Sequence, residues 1–200
     1  MQHCDVNIYK QHFQVGDFLL EKIILIAGPS GTGKTTISDY LTEKYNIPRV
    51  LTHTTRPMRL GEKQNVSYHF ETDETFSKLH FFEHIRYGSY QYGSSREALN
   101  LAWKKSNLVS LIVDIKGVYT YVKQLGDKVY FLYVTTSTKD ELRERLLKRG
   151  DDPAKIQERL SGSELNLLPA DLKNYAHVLV NDDLTQTKKA LDALVAKLCG

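Results

Sequence analysis

The chain has 200 residues, of which 41% are hydrophobic and 26% are charged, with a formal net charge of +3. This length suits one substantial core and excludes two large independent domains. The only two cysteines stand near opposite ends, at positions 4 and 199, which excludes a disulfide framework and a Cys/His metal motif. No signal peptide and no apolar run of membrane-spanning length is found, so we expect a soluble, cytoplasmic protein without a membrane or nucleic-acid partner.

Apolar runs and helical patterns alternate along the chain from residue 21 onward. The first run, EKIILIAG, predicts a buried strand, and KTTISDYLTEKYN after it predicts a helix. Further strands are predicted from Leu108 to Val113, from Val129 to Val134 and from His177 to Val180. Because the segments between them are long enough for helical crossovers, we expect an α/β fold with a parallel central sheet covered on both faces.

Three segments differ from this α/β pattern. Residues 1–20 show no periodicity and are predicted to be an N-terminal extension to a domain over 21–200. Residues 51–94 mix polar and aromatic side chains and predict a small β-rich insertion that binds substrate. Residues 139–162 predict two basic helices joined by a turn, with Asp152 as cap and Pro153 as first residue of the second helix. Such a helix pair could form a lid.

A complete phosphate-binding motif, G-x-x-x-x-G-K-[ST], lies between the first strand and the first helix. Its glycines let backbone N–H groups turn toward phosphate oxygens, Lys34 can reach the β- and γ-phosphates, and the Thr35 hydroxyl can bind Mg²⁺. The predicted ATP-binding residues of this segment are Gly28, Ser30, Gly31, Thr32, Gly33, Lys34, Thr35 and Thr36. The motif by itself leaves motors, switches, transporter ATPases and small-molecule kinases open.

Four motifs downstream occur in a fixed order and spacing. They are THTTRPMRLGE from residue 52, VSYHF from 66, FFE from 81 and YGS from 92. In these motifs the chain resembles guanylate kinases, from about Ile23 to the end. The resemblance implies a three-layer P-loop kinase fold that uses ATP and Mg²⁺ to convert GMP, and also dGMP, to the diphosphate.

The residue types of these motifs suit a nucleoside monophosphate. Arginine guanidinium groups and tyrosine hydroxyls can bind its phosphate. One ionised carboxylate, that of Glu83, can accept hydrogen bonds from both donors on the guanine edge. The hydroxyl of Thr52 could donate to guanine O6, and Ser94 is expected to contact the base. The predicted GMP-binding residues are Thr52, Arg56, Arg59, Glu62, Tyr68, Glu83, Tyr92, Ser94 and Asp114.

The remaining predicted site residues lie in the second half of the chain. Arg145, Arg149 and Arg159 are predicted to bring positive charge to the transferring phosphate and to act catalytically with Lys34 and Arg56. The family pattern places Asn181 beside the adenine and Asp114 near the metal site. The family's D-I-D-x-x-G motif has its first aspartate where this chain has Ile112.

Two alternatives remain open from the sequence. Guanylate-kinase-like domains also serve as non-catalytic protein-binding modules, although these usually lose the phosphate loop that is complete here. A related P-loop kinase with another phosphorylated acceptor would share the loop and differ at Thr52 and Glu83. The sequence does not indicate an oligomeric state.

Overall fold

The protein is described by a computed structural model over residues 21–161 and 167–199, with the side chain of residue 159 outside the described part. The predicted extension over residues 1–20 and the last residue of the predicted lid also lie outside it. The helices are α1 Lys34–Tyr45, α2 Asp73–Ser77, α3 Arg96–Trp103, α4 Ile115–Leu125, α5 Lys139–Lys148, α6 Pro153–Ser161 and α7 Leu184–Cys199. The strands are β1 Lys22–Ala27, β2 His53–Thr54, β3 His69–Phe70, β4 Phe81–Tyr87, β5 Tyr90–Ser95, β6 Leu108–Ile112, β7 Val129–Thr135 and β8 Ala176–Val180.

The central sheet has the strand order β6-β1-β7-β8, and all three of its strand pairs are parallel. Ile24 of β1 pairs with Ser110 on one side and Tyr130 on the other. Helical segments connect these strands, as a parallel sheet requires. The predicted α/β fold with a parallel sheet is therefore confirmed.

Side chains that alternate along β1 supply the two faces of the core. Ile23 and Leu25 pack in one apolar cluster with residues of α3 and α4, such as Leu99 and Val118. Ile24 and Ile26 pack in a second cluster on the opposite face, formed with residues of α1 and α7. Successive strand residues point to opposite sides, so the wholly apolar run predicts burial on both faces. The result is the expected three-layer arrangement.

A second, smaller sheet is formed by β3, β2, β5 and β4 in that order. Its β2–β3 pair is parallel, whereas β2–β5 and β4–β5 are antiparallel. The register shifts between Phe81 and Glu83 of β4, which is a bulge next to a predicted site residue. This mixed sheet confirms the small β-rich unit expected between the first helix and α3.

Helices α5 and α6 form the predicted basic pair. Thr138 caps α5 by accepting a hydrogen bond from the Glu141 N–H. After Gly150, whose φ is +86°, the Asp152 carboxylate accepts hydrogen bonds from the first N–H groups of α6, in the capping role that the sequence predicts. Among the described residues, no helix has both the length and the apolar character needed to cross a membrane.

Candidate functional site

The phosphate loop joins β1 to α1 and adopts a conformation that depends on its glycines. Gly28 has φ +139°, and a Cβ there would lie 2.0 Å from the Val134 carbonyl oxygen. Gly33 has φ +89°, and a Cβ there would lie 2.5 Å from Nδ2 of Asn181. Larger residues at either position would both strain the backbone and overlap a neighbour. The loop therefore keeps its backbone close to the ends of β7 and β8.

Lys34 is the first residue of α1, and its side chain folds back over the loop. Its Nζ donates hydrogen bonds to the carbonyl oxygens of Gly28 and Pro29, at 2.8 and 2.7 Å. Burial, with a smaller contribution from the positive charge of Arg149, lowers the Lys34 pKa to about 8. Thr35 and Thr36 follow it with exposed side chains. The ammonium group is thus held where a phosphate would enter the loop.

Asn181, which follows β8, anchors the loop from behind. Its Nδ2 donates to the Thr32 carbonyl at 2.7 Å, and its Oδ1 accepts a hydrogen bond from the Thr187 hydroxyl at 2.7 Å. The residue is 5% exposed. This anchoring role was not predicted from the sequence, because it depends on a contact across 149 positions of the chain. The expected contact of Asn181 with adenine stays a prediction.

Arg56 is the central cation of the acceptor segment. It is 7% exposed and forms a two-point ion pair with Glu62, through Nη1–Oε2 at 3.0 Å and Nη2–Oε1 at 2.8 Å. The Arg59 N–H also donates to Glu62 Oε2, at 2.7 Å. Hydrogen bonds from Arg56 and, to a smaller extent, from the Arg59 N–H lower the pKa of the Glu62 carboxyl. Glu62 thus orients Arg56, while the Arg59 side chain remains exposed.

Two predicted tyrosines lie beside this ion pair. The Arg56 guanidinium is 5.7 Å from the centre of the Tyr68 ring, and the rings of Tyr68 and Tyr92 are 6.4 Å apart. Tyr92 lies on β5 and pairs with Thr54 of β2, next to the turn that leads to Arg56. The structure therefore brings Arg56, Tyr68 and Tyr92 together, as the sequence predicts for a phosphate site.

Glu83 lies at the bulge of β4 and accepts a hydrogen bond from the Ser94 hydroxyl of β5, at 3.3 Å. Burial and, to a smaller extent, the charge of Asp114 raise the Glu83 pKa to about 7, against the hydrogen bond from Ser94. On its other side the carboxylate rests on Gly117 of α4, where a Cβ would lie 2.1 Å from Oε2. Asp114 caps that helix by accepting a hydrogen bond from the Gly117 N–H at 2.7 Å.

Gly117 is a site residue that the sequence analysis did not identify. A glycine in the first turn of a helix is unusual, because glycine disfavours helix, and this was the available signal. Thr52 is half-buried just before β2, and its carbonyl oxygen accepts a hydrogen bond from the His69 N–H. Ile112 is half-buried and packs against the apolar cluster beneath α1.

Two of the three predicted lid arginines are described on or next to α5. Arg145 donates to the Glu141 carboxylate at 2.9 Å and to the Asp182 carbonyl at 3.1 Å. Arg149 pairs with Asp151 and lies close enough to Lys34 to lower its pKa. Arg159 lies on α6, but its side chain is outside the described residues. Arg149, at the C-terminal end of α5, thus lies toward the phosphate loop, while the lid itself stays a prediction.

Comparison with known proteins agrees with this arrangement. A family model described as "Guanylate kinase" matches residues 20–198. The chain is 33% identical over 180 residues to a guanylate kinase of Campylobacter jejuni (strain RM1221), with 86% of this chain and 87% of that protein covered. It is 35% identical over 184 residues to a guanylate kinase of Helicobacter hepaticus (strain ATCC 51449 / 3B1), with 88% and 90% covered.

A solved structure shows the same fold. The crystal structure of guanylate kinase from Anaplasma phagocytophilum superimposes with a TM-score of 0.63 at 22% identity, covering 89% of this chain and 86% of that one. At this identity the match concerns the fold alone. From the family match over residues 20–198 and the two relatives, the chain belongs to the guanylate kinase family.

Proposed function

We propose that the protein is a guanylate kinase, which transfers the terminal phosphoryl group of ATP to GMP and also accepts dGMP. One observation carries the proposal: the chain combines a complete phosphate loop with a separate acceptor site where a half-buried carboxylate, that of Glu83, and a buried, oriented arginine, Arg56, are both present. Neither half alone would distinguish a kinase for GMP from the other proteins that use such loops.

ATP binds with its phosphates in the loop that follows β1. Backbone N–H groups of the loop and the N-terminus of α1 favour the negative charge there. Lys34 exchanges its two carbonyl partners for phosphate oxygens, and the negative charge of the phosphates raises the Lys34 pKa, opposing the effect of burial. The lid arginines Arg145, Arg149 and Arg159 then approach the transferring group.

GMP binds between the small sheet and α4. Arg56, held by Glu62, and Arg59 bind the phosphate, with Tyr68 and Tyr92 as neutral donors. Glu83 accepts hydrogen bonds from guanine N1–H and the amino group, and Ser94 and Thr52 complete the contacts to the base. Adenine lacks this pair of donors, so the site rejects AMP because the half-buried Glu83 carboxylate would lose its partners. Asp114, the N-terminal cap of α4, contacts the acceptor nucleotide.

Mg²⁺ accompanies ATP as the cofactor. The donors fit this ion, because Thr35 offers an exposed hydroxyl beside the loop, and Mg²⁺ takes few protein ligands while keeping waters and substrate phosphates. Bound there, it would neutralise the charge that develops on the phosphates. Ile112 leaves this chain without the carboxylate that the family motif has at that position.

The chemistry needs no covalent intermediate and no general base. The attacking oxygen belongs to the GMP phosphate and is already anionic, so this chain's residues act by positioning and by stabilising charge. Closure of the helices α5 and α6 would exclude water, which competes as acceptor.

A steady-state assay of ADP formation from ATP and Mg²⁺ tests the proposal with GMP or AMP as acceptor. We expect strong turnover with GMP and little with AMP. Lys34→Ala should reduce kcat by about a hundredfold or more, since it removes charge that stabilises the transition state. A folded protein that forms no ADP with GMP would instead favour the non-catalytic binding module, and equal use of another acceptor would favour a related kinase.

A further inference from the structure

Tyr121 of α4 has a buried hydroxyl that the proposed mechanism does not use. The side chain is fully buried, and its ring stacks on Phe82 with 4.3 Å between the ring centres. Packing in the apolar core therefore accounts for an aromatic ring at this position. Its hydroxyl oxygen, however, is the only buried side-chain polar atom in the described part of the chain that lacks a hydrogen-bond partner.

This hydroxyl lies beside the residues that recognise the base. Gly117 and Tyr121 are four positions apart on α4, so they share one face of the helix. The Glu83 carboxylate packs against Gly117 on that face. Burial raises the Tyr121 pKa above its ordinary range, whereas hydrogen bonding by the nearby Ser94 hydroxyl lowers it, and the charge of Glu83 raises it more weakly. The Ser94 and Tyr121 hydroxyls are therefore close, although their contact falls short of a well-formed hydrogen bond.

An unsatisfied buried hydroxyl destabilises a folded protein, whereas phenylalanine would fill the same space without that loss. A tyrosine at this position is therefore accounted for by a nearby group that its hydroxyl can reach. Ser94 is the candidate on chemical grounds, because its oxygen already donates to Glu83 and retains lone pairs that can accept a further hydrogen bond. The Ser94–Glu83 contact is also long, at 3.3 Å, and can tighten.

We propose that Tyr121 is a positioning residue of the GMP site, which donates a hydrogen bond to Ser94 when GMP binds and thereby aligns Glu83 with the guanine edge. The proposal rests on the proposed function. It describes a chain of hydrogen bonds from Tyr121 through Ser94 to Glu83, in which each bond strengthens the next. Tyr121 itself touches neither substrate.

The first test compares Tyr121→Phe with the wild type. We expect the KM for GMP to rise about fivefold, the effect of one net hydrogen bond, while kcat and the KM for ATP stay within about twofold. The melting temperature without nucleotide should stay the same or rise, since the variant removes an unpaired hydroxyl. A purely structural tyrosine would instead lower the melting temperature and leave the KM for GMP unchanged.

A matched control is Tyr119→Phe on the same helix. The Tyr119 hydroxyl is exposed and donates to Asp171 at 2.8 Å, so its removal should change neither KM. A rise in the KM for GMP of similar size in both variants would overturn the proposal, because it would reflect a general disturbance of α4.

A double-mutant cycle with Ser94→Ala tests the relay itself. Ser94→Ala alone should raise the KM for GMP, and adding Tyr121→Phe should raise it no further, because the intermediate group is already absent. Full additivity would overturn the relay through Ser94. Wild-type turnover with GMP separates failure of the proposed function from failure of this inference. An inactive wild type overturns both. An active wild type whose KM for GMP equals that of Tyr121→Phe overturns the inference alone.

Discussion

At the scale of single residues, burial shifts the pKa values of two ionisable groups toward neutral pH from opposite directions. Burial and Asp114 raise the Glu83 pKa to about 7, whereas burial and Arg149 lower the Lys34 pKa to about 8. Both shifts follow from removing a charged group from water. Each group gains its full charge when a ligand of complementary charge or hydrogen bonding arrives, which links nucleotide binding to pH.

The KM for GMP should rise as pH falls through about 7. Protonated Glu83 cannot accept both guanine donors, so only the ionised fraction of the free enzyme binds GMP well. With a pKa of about 7, that fraction falls about tenfold from pH 8 to pH 6, and the KM for GMP should rise by the same factor. Initial rates over a range of GMP concentrations at each pH give this profile.

Glu83→Gln is the control for the pH profile, because the phosphate of GMP also titrates near pH 6. The variant should have a higher KM throughout and lose roughly 2 kcal/mol of its preference for GMP, in the range for an unpaired buried polar group. It should keep only the pH dependence due to the substrate. An identical profile in variant and wild type would show that Glu83 does not titrate as stated.

At the scale of secondary-structure elements, the site depends on how two helices begin. Helix α1 begins at the phosphate loop, after Gly33 in the left-handed region. Helix α4 begins at Asp114, and its glycine at position 117 leaves room for the Glu83 carboxylate. In both helices a glycine lets a partner approach the backbone closely.

Gly117→Ala should impair GMP binding without unfolding the protein. The added Cβ would lie 2.1 Å from Glu83 Oε2, and the flexible carboxylate can move away while alanine favours the helix. We expect the KM for GMP to rise about tenfold or more, equivalent to about 1.4 kcal/mol, with an unchanged KM for ATP. Lys116→Ala, at an exposed neighbouring position, should leave both KM values unaltered; if Gly117→Ala does the same, the carboxylate does not need this space.

The segment that joins β8 to α7 should control ATP binding through Asn181. Asn181→Ala removes the hydrogen bonds to Thr32 and Thr187 and should lower the free energy of unfolding by about 2–4 kcal/mol, with a raised KM for ATP. Denaturant unfolding and steady-state kinetics measure the two effects. Thr187→Val, which leaves the bond to Thr32 intact, should have the smaller effect on KM; a normal KM for ATP in Asn181→Ala would contradict the anchoring role.

At the scale of the whole molecule, the central sheet holds the phosphate loop while the small sheet holds most of the proposed acceptor-binding residues. The loop begins where β1 ends, and the acceptor side is formed by β2, β4 and β5 with α4 beneath Glu83. The packing of α4 against β4 therefore couples the two sheets. Ligands that bridge these parts should stabilise the fold as a unit.

GMP should raise the melting temperature of the whole protein. A ligand that binds only the folded state at a hundred times its Kd adds about 2.7 kcal/mol, which corresponds to roughly 5–10 °C for a chain of this size. Differential scanning calorimetry with and without GMP measures the shift, and AMP at the same concentration should give a much smaller one. Equal shifts for both nucleotides would mean that the base contributes little to binding.

Most candidate site residues could be proposed from the sequence, because each motif is local, and Gly117 is the exception. The strand, glycine turn and helix around Lys34 follow from apolar periodicity and from glycine's conformational freedom, and the order of the acceptor motifs indicated the family. Contacts between distant segments could not be predicted in this way. The pairing of Asn181 with Thr32 and the approach of Tyr121 to Ser94 depend on how α7 and α4 pack on the sheets.

The sequence by itself thus determined the α/β class, the phosphate loop and the chemical types that a phosphate and a guanine require, since these depend on residue type and short spacing. Only the tertiary structure decided which groups are buried and what they face. Burial and the distance between charges set the pKa values of Glu83 and Lys34, and both quantities exist only once the elements have packed together.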